Sequence, residues 1–373
     1  MAKAVTTRQA GALVLGDPRF SKDIRNWAAH RRGEIPADWP LLFIVAGKGL
    51  LTTDGETHRR LRLPVQRALA PRRVQALAPR IEAVTDRLLA ALADVPAGAE
   101  TDLHRGFALP LPLEVICSLL GVPEEGAVRE ELHELSAAAM NSEAAPEEVR
   151  DTVARRFPAA LMALIERKRA RGDRDDLTMD LVTALDRGEL TEAEVIGNLV
   201  VTVIGGHETT ANLICHAVRG LLTHPGTLSA ARARQEAGED PWPDVVEKAL
   251  RWESPSRHVM FRYATQDVPV EGTVIREGEA VLVPLPAIQR CPHTFPRPPA
   301  DEFAPGRPDV SRHLAFGAGP HRCPGATLAR LEARIALRRL FDAFPRLALV
   351  PGPVRRVPSL GINGYRELPV VLR

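Results

Sequence analysis

A single cysteine stands in a ten-residue segment that otherwise consists of residues suited to a tight loop. Residues 316–325 read FGAGPHRCPG, so Cys323 is accompanied by three glycines, two prolines, a histidine and an arginine. A cysteine binds a metal only as the thiolate, and its pKa falls where backbone N–H groups and a helix N-terminus face it. The glycines Gly317, Gly319 and Gly325 permit positive φ and close backbone approach. The segment therefore predicts a loop that directs amide groups at one sulfur atom and accepts a flat ligand.

The order of residue types in this segment favours a ligand-binding cysteine. An isolated cysteine is more often a small buried hydrophobic residue. Here, however, the pattern F-G-x-G-x-H-x-C-x-G resembles the haem-binding loop of the cytochrome P-450 superfamily. The matching positions are Phe316, Gly317, Gly319, His321, Cys323 and Gly325. The resemblance implies that Cys323 is the axial ligand of the iron of haem b and that Phe316 packs beside it; thiolate ligation of haem iron favours O–O cleavage.

A second motif lies in the longest helix that the sequence predicts, from about Glu192 to Leu222. A glycine inside a helix costs roughly 1 kcal/mol relative to alanine, so a glycine pair needs a reason, and a close helix crossing is one. The stretch also resembles the distal-helix motif of the family, A/G-G-x-E/D-T. Its positions are Gly205, Gly206, His207, Glu208 and Thr209. The resemblance implies a locally opened helix with room for O2 and the cofactor beside Gly205. It also implies that Glu208 and Thr209 organise proton delivery, and His207 is expected to be structural.

Two basic residues four positions apart, His58 and Arg62, share one face of a predicted helix. Solvated surface is the ordinary interpretation of such a pair. In the family, however, a His-x-x-x-Arg at this place contacts a haem propionate, and an arginine in the strand after "ESP" assists, here Arg262. His321 completes the set. The resemblance therefore implies four cations that hold two propionates by charge-assisted hydrogen bonds.

The resemblance also indicates which positions face a substrate. Most of them are apolar: Val201, Ile204, Gly205, Met260, Phe261 and Ile362. His258 could form a hydrogen bond to a substrate, although a lone loop histidine is more often incidental. A mostly apolar pocket suits a hydrophobic molecule, and we expect a polyketide, a terpenoid or a steroid-like natural product.

Basic residues are frequent in the two segments that would flank the thiolate side of the haem. They are Arg59, Arg60, Arg67, Arg72, Arg73, Arg322 and Arg330. A solvated surface is the usual interpretation, but the resemblance implies a docking site for an acidic ferredoxin, itself reduced by a ferredoxin reductase. The sequence contains no flavin or dinucleotide motif, so electrons must come from separate proteins unless peroxide replaces them.

One motif departs from the family. The family's Glu-x-x-Arg falls at "EKALRW", where Arg251 is in place but Lys248 occupies the glutamate position. Glu247 is one residue early, about 100° around a helix, and could pair with Arg251 only as an i,i+4 neighbour. In the family this pair is tied to a further arginine, here Arg307, on the proximal side of the haem. Since a lysine beside a partly buried arginine is repulsive, we expect weakened haem retention or folding.

The elements that must position these motifs follow from hydrophobic periodicity and turn residues. Residues 59–228 are predicted to be mainly helical, 267–285 to form hairpins, 292–308 to form a proline-rich meander, 326–344 to form an amphipathic helix, and 347–373 to form short strands. This is a mainly α fold with a small β portion, which the resemblance identifies as the cytochrome P-450 fold in one domain over residues 1–373. The family's leader, first helix and first strand are expected to be missing, which would leave a sheet edge unpaired.

Composition excludes several classes of protein. The net charge of +2 argues against nucleic-acid binding, and the four scattered cysteines against a disulfide framework or a zinc site. Neither a signal peptide nor an apolar run of about 20 residues is present, so we expect a cytoplasmic protein without a membrane anchor.

The resemblance implies a haem-thiolate monooxygenase that uses O2 to hydroxylate or epoxidise a hydrophobic small molecule. One alternative is a haem-binding sensor or scaffold with impaired turnover, and another is a peroxide-driven enzyme. The latter is disfavoured because Glu208 and Thr209 keep the proton-delivery pattern. An all-helical regulatory module would leave the cysteine segment unexplained.

Overall fold

The computed structural model describes residues 2–39, 41–47, 49–124, 126–140, 147–172, 176–304 and 307–373. Helices account for most of them. The α-helices are α1 (Arg8–Gly16), α2 (Ala28–Arg31), α3 (Leu42–Ala46), α4 (Gly55–Ala68), α5 (Pro71–Ala76), α6 (Ala78–Ala93), α7 (Pro110–Leu119), α8 (Ala127–Met140), α9 (Glu147–Arg171), α10 (Leu177–Asp186), α11 (Glu192–Thr223), α12 (Pro225–Glu236), α13 (Trp242–Trp252), α14 (Leu285–Gln289) and α15 (Ala326–Ala343). The strands are β1 (Lys3–Ala4), β2 (Phe20–Ser21), β3 (Glu100–Asp102), β4 (His258–Ala264), β5 (Val268–Val270), β6 (Thr273–Ile275), β7 (Ala280–Pro284), β8 (Ala348–Leu349) and β9 (Pro369–Val371). The mainly α fold with a small β portion is therefore confirmed.

Helix α11 is the element around which the others pack. It begins at Thr191, whose side chain accepts a hydrogen bond from the Glu194 N–H, and the Glu194 side chain accepts one from the Thr191 N–H in return. Such a capping box satisfies two backbone donors that a helix start otherwise leaves unpaired. Helices α7, α13 and α15 contact α11 along its length. The predicted helix from about Glu192 to Leu222 is thus confirmed within one residue.

The four-stranded sheet has the order β1-β7-β4-β2. Strands β4 and β7 are antiparallel, and β1 pairs with β7 in parallel at one edge. Only β5 and β6 form the hairpin predicted for 267–285, around Glu271 and Gly272 at positive φ. The last predicted strand of that segment, β7, pairs instead with β4. The sequence did not predict this pairing, because the alternation of side chains does not specify the partner of a strand.

The chain around the cysteine segment leads into α15. The buried residues of α15 are mostly apolar and recur at helical spacing: Ala326, Leu328, Glu332, Ala333, Ala336, Leu337, Leu340 and Phe341. The predicted amphipathic helix at 326–344 is confirmed. The short strands predicted for 347–373 are present as β8 and β9, and β9 pairs with β3, which the sequence analysis did not predict.

A large apolar cluster surrounds α11 and α15, and two smaller clusters lie on either side of the β4–β7 sheet. None of the helices in the described ranges combines the length and hydropathy of a membrane-spanning segment.

Candidate active site

The segment around Cys323 forms a tight loop at the start of α15. The Cys323 N–H donates to the Phe316 carbonyl at 2.8 Å, and the Gly317 N–H donates to Leu314 at 2.8 Å. Gly317 and Gly319 both have φ of +69°. An added Cβ at Gly319 would lie 2.6 Å from the Leu15 carbonyl oxygen, so α1 closes over this position. The glycines therefore give the loop conformations and contacts that other residues would obstruct.

Opposing effects act on the Cys323 thiol. Burial has the larger effect and raises its pKa above the ordinary value, although the Gly325 N–H and the nearby Arg62, Arg322 and Arg330 oppose the shift. Gly325 is the N-cap of α15, and a Cβ at this residue would lie 3.8 Å from the sulfur. The N-terminus of α15 adds positive potential on the same side. The sulfur is thus buried but surrounded by groups that favour a thiolate.

A cavity of about 330 Å³ lies above this loop. Several predicted site residues line it: Val201, Gly205, Thr209, Arg62, His258, Met260, Phe261, Arg262, Phe316, Gly317, His321, Cys323 and Gly325. Two predicted substrate positions, Ile204 and Ile362, are not in its wall. Ile204 precedes Gly205 by one residue, about 100° around α11, and Ile362 forms an isolated β-bridge with Ser256.

The two glycines of α11 have different surroundings. An added Cβ at Gly205 meets nothing within 4 Å, whereas one at Gly206 would lie 2.5 Å from Ile116 Cδ1 on α7. Gly206 therefore permits the close crossing of α7 and α11, and Gly205 leaves space in the cavity. Helix α11 is continuous here, so the locally opened helix that the resemblance implied is not present; the Thr209 hydroxyl instead donates to the Gly205 carbonyl at 2.7 Å.

The residues between these positions face away from the cavity. His207 is 1% exposed, and burial, followed by the neighbouring His133 and His104, lowers its pKa to about 4. Glu208 is 5% exposed and is not part of the cavity wall. Thr209 is thus the polar residue of the motif that reaches the cavity.

Arg62, Arg262 and His321 line one end of the cavity, and His58, which is not part of its wall, packs against His321. The rings of His58 and His321 lie 3.9 Å apart between centroids. Arg62 donates from Nη2 to the Arg322 carbonyl at 2.5 Å. Several of their buried atoms have no hydrogen-bond partner among the described residues: His58 Nε2, Arg62 Nη1, Arg262 Nε and Nη2, and His321 Nδ1. Burial, followed by the neighbouring His321 and Arg62, lowers the pKa of His58 to about 4, although Asp54 opposes this shift.

Two further residues of this end were not identified from the sequence. Asp54, the N-cap of α4, accepts hydrogen bonds from Ser21 Oγ and the Lys22 N–H, both at 2.6 Å, and from His321 Nε2 at 3.3 Å. Burial would raise the pKa of Asp54, but these donors hold it well below its usual range. Lys22 lines the cavity and donates from Nζ to the Met260 carbonyl at 2.8 Å. Burial, followed by Arg262, lowers the Lys22 pKa to about 7. The position of Asp54 before a predicted helix suggests at most an N-cap, but its side chain makes no capping hydrogen bond.

These residues fit a haem. Buried guanidinium nitrogens without partners are costly, and carboxylates satisfy them well. The described residues contain no group of three or more His, Cys, Asp or Glu that could hold a metal ion. An iron bound to Cys323 therefore needs its other ligands from elsewhere, as a porphyrin supplies them.

The structure shows the contacts of Glu247 and Lys248, the two residues at which the Glu-x-x-Arg motif departs from the family. Glu247 accepts from Arg330 and from His313 Nε2, the latter at 3.0 Å. The i,i+4 pairing with Arg251, which the sequence left open, is therefore not formed. The one-residue shift directs Glu247 towards α15 and the cysteine loop. Lys248 is 0% exposed, and its Nζ has no hydrogen-bond partner in the described ranges. Burial, followed by Arg251 and Arg307, lowers its pKa to about 6.

Comparisons with known proteins agree with this geometry. A family model described as "Cytochrome P450" matches residues 243–352. The 2-hydroxy-5-methyl-1-naphthoate 7-hydroxylase of Streptomyces carzinostaticus is 37% identical over 366 residues, which cover 96% of this chain and 86% of that protein. The cytochrome P450 monooxygenase PikC of Streptomyces venezuelae is 38% identical over 363 residues, covering 96% and 82%.

A solved structure, "Testerone bound CYP154C4 from Streptomyces sp. ATCC 11861", has a TM-score of 0.89 at 40% identity and covers 99% of this chain and 89% of its own. Similarity of this extent includes both the cysteine loop and α11. The chain belongs to the cytochrome P-450 family.

Proposed function

We propose that this cytochrome P-450 monooxygenase binds haem b through Cys323 and hydroxylates or epoxidises a hydrophobic natural product of polyketide, terpenoid or steroid-like type. The observation that carries the proposal is the set of buried basic atoms without partners beside a cavity that Cys323 also lines. A dianionic, flat, metal-containing ligand satisfies both features at once.

The cofactor-binding residues divide into two groups. Cys323 supplies the thiolate, and the Gly325 N–H stabilises its charge. Arg62 and Arg262 remain charged at neutral pH, because arginine does not lose its proton in proteins, and they hold two carboxylates with His58 and His321. When bound through a thiolate, haem iron supplies the O2 activation that oxygen insertion into a C–H or C=C bond requires.

The distal residues control space and protons. Gly205 keeps the cavity open beside α11. The Thr209 hydroxyl proton is directed to the Gly205 carbonyl, so the oxygen presents lone pairs to the cavity and can accept a proton or a hydrogen bond there. Glu208 lies behind this wall, and we assign it the supply of protons to Thr209.

The rest of the wall is suited to an apolar substrate. Val201, Met260 and Phe261 line the cavity with Leu119 and Leu213. Relatives support this substrate class, since one is named a naphthoate hydroxylase and another was solved with a steroid.

The electron donor is proposed to be a ferredoxin, reduced by a ferredoxin reductase. On the outer face of α4, Leu63 is 46% exposed between Arg59 and Arg67, one turn away on either side. Arg60 and Arg73 are less available, because they already pair with Glu194 and Asp180. Arg59 pairs with the exposed Glu56, and Arg67 is exposed. An apolar residue between two exposed cations suits a small acidic protein. Arg67→Glu should raise the KM for an acidic ferredoxin and leave substrate binding unchanged.

Reconstitution with haem tests the proposal. The wild type should show the red-shifted band of the reduced carbon-monoxide adduct and a substrate-induced spectral change, and should form oxygenated product with ferredoxin and its reductase. A protein that stays colourless with added haem refutes the proposal.

The second candidate, a haem-binding sensor or scaffold, is favoured by the buried Lys248 in place of the family glutamate. A sensor or scaffold should show the red-shifted band of the reduced carbon-monoxide adduct but should form no product with any electron source. Product with peroxide alone, and none with ferredoxin, would instead indicate the peroxide-driven enzyme.

A further inference from the structure

His258 and three threonines of the cavity wall share one hydrogen-bonding property. His258 lines the cavity and is half-buried, and its Nδ1 lies 2.7 Å from the Leu360 carbonyl oxygen. A carbonyl oxygen can only accept, so Nδ1 must carry the proton. In the neutral imidazole, Nε2 is then an acceptor. Nε2 is not fully buried and has no hydrogen-bond partner within the described ranges.

Three threonines of α11 show the same pattern. Each lines the cavity and donates its hydroxyl proton to the carbonyl four residues before it: Thr202 to Asn198 at 2.7 Å, Thr209 to Gly205 at 2.7 Å, and Thr210 to Gly206 at 3.2 Å. A hydroxyl group has one proton. Once that proton is directed to the backbone, only lone pairs face the cavity.

The basic donors of the cavity lie at one end, and two of them have other partners there. Lys22 donates to the carbonyls of Met260 and Phe261, and His321 contacts Asp54. Arg62 and Arg262 are assigned to the cofactor carboxylates under the proposed function. Ser256 and Tyr263 also line the cavity and carry hydroxyl groups that can donate. The acceptor character therefore belongs to His258 Nε2 and to the three threonines, and a substrate group that faces His258 Nε2 meets an acceptor.

We propose that this pocket selects an apolar molecule that carries a hydroxyl or N–H group, which donates to His258 Nε2, and that it discriminates against a carbonyl or carboxylate at that position. The inference rests on the proposed function for the location of the substrate and adds the functional group that the substrate must present. A carbonyl facing Nε2 would place two acceptors together and leave both without a proton, and an unsatisfied buried pair typically reduces affinity about 10-fold or more.

Two steroids that differ at one carbon test this selectivity. Testosterone carries a hydroxyl group where androst-4-ene-3,17-dione carries a carbonyl, and the two have nearly the same shape and apolar area. Binding to the haem-loaded wild type is measured by isothermal titration calorimetry, which requires neither turnover nor a spectral change. Testosterone should bind about 10-fold or more tightly than the dione.

The variant His258→Phe removes the acceptor and keeps a planar ring. In this variant the affinity ratio should fall to about 1, whereas His293→Phe, an exposed histidine outside the cavity, should keep the wild-type ratio. Should His258→Phe fail to fold, the wild-type ratio alone decides. Equal affinities in the wild type, no binding of either steroid, or an undiminished ratio in His258→Phe would overturn the proposal.

The outcomes separate this inference from the proposed function. A protein with the carbon-monoxide band and product formation but no preference for the hydroxyl refutes the inference alone. A protein that prefers the hydroxyl but forms no product from any electron source refutes the proposed turnover and leaves the selectivity in place.

Discussion

Replacement of Lys248 by methionine should stabilise the protein in a pH-dependent way. Lys248 is fully buried beside Arg251 and Arg307, and its Nζ has no hydrogen-bond partner among the described residues. Asp309 pairs with Arg307, and Arg251 donates to backbone carbonyls such as Ala300. Methionine has similar length and flexibility and carries no charge, so Lys248→Met removes the amine with little change in packing.

The magnitude follows from the pKa of Lys248, which burial, followed by its two arginine neighbours, lowers from 10.5 to about 6. Between these two values the unfolded chain binds one more proton at this residue than the folded chain, so the free energy of unfolding rises with pH. The slope is about 1.4 kcal/mol per pH unit. At pH 7 the folded wild type is therefore penalised by about 5 kcal/mol, and about 2 kcal/mol of this is recovered at pH 8.5. Above 10.5 and below 6 the contribution is constant.

Equilibrium urea unfolding at pH 7 and pH 8.5, followed by circular dichroism, measures this contribution as the difference between wild type and Lys248→Met. Other titrating groups are common to both proteins and cancel. The difference should shrink by about 2 kcal/mol at the higher pH, whereas it should not change with pH for Lys3→Met, since Lys3 is exposed. A difference for Lys248→Met that is the same at both pH values would refute the buried-amine account.

The glutamate of the family provides the complementary variant. In Lys248→Glu a carboxylate would face Arg251 and Arg307, and pairing would replace repulsion. We expect a higher temperature midpoint of haem loss than in the wild type, measured by the haem absorbance on heating. An equal or lower midpoint would contradict the account of this departure.

The remaining predictions concern the cavity wall. Cys323→Ser should abolish the red-shifted band of the reduced carbon-monoxide adduct, and an unchanged band would remove Cys323 as the ligand. Thr209→Ala should uncouple O2 consumption from product, measured with an oxygen electrode and product analysis, and full coupling would count against its proton role. Gly206→Ala should lower the free energy of unfolding by about 1–3 kcal/mol through overlap with Ile116. Gly205→Ala should raise the free energy of unfolding by up to about 1 kcal/mol, because open space surrounds that position. Similar effects of Gly205→Ala and Gly206→Ala would show that the two glycines do not differ in the way described.

The parts of the fold that the sequence predicted correctly are mainly helices whose signals lie within the segment itself. The boundaries of α11 and α15 follow from capping residues and from apolar residues at helical spacing, both of which lie within the segment itself. The partner of β7 could not be found in this way. It pairs with β4, some twenty residues earlier in the chain, and the alternation within β7 suits a hairpin with β6 equally well.

The site shows the same division. The Cys323 loop and the glycine pair of α11 were recognisable because each motif is contiguous. Asp54 and Lys22 were not, since their role arises from contacts between residues 32 positions apart. Glu247 lies one position before the motif position, which turns its side chain by about 100° around α13. Only the packing of α13 on α15 shows that this side chain reaches Arg330 and His313.

Two of the places where cations are buried, those of Arg262 and Lys248, differ in whether the side chain keeps its charge. Burial lowers the pKa of Arg262 only to about 10, so this guanidinium stays charged at neutral pH and requires an anion. Lys248, with a pKa of about 6, releases its proton and requires none. Arginine therefore suits the end of the cavity where cofactor carboxylates are proposed to bind, because it is already charged before they bind. Binding of the carboxylates would then neutralise this buried charge and increase the free energy of unfolding. Lysine suits a packed core position that has lost its carboxylate partner, where a permanently charged group would leave the fold with an uncompensated buried cation.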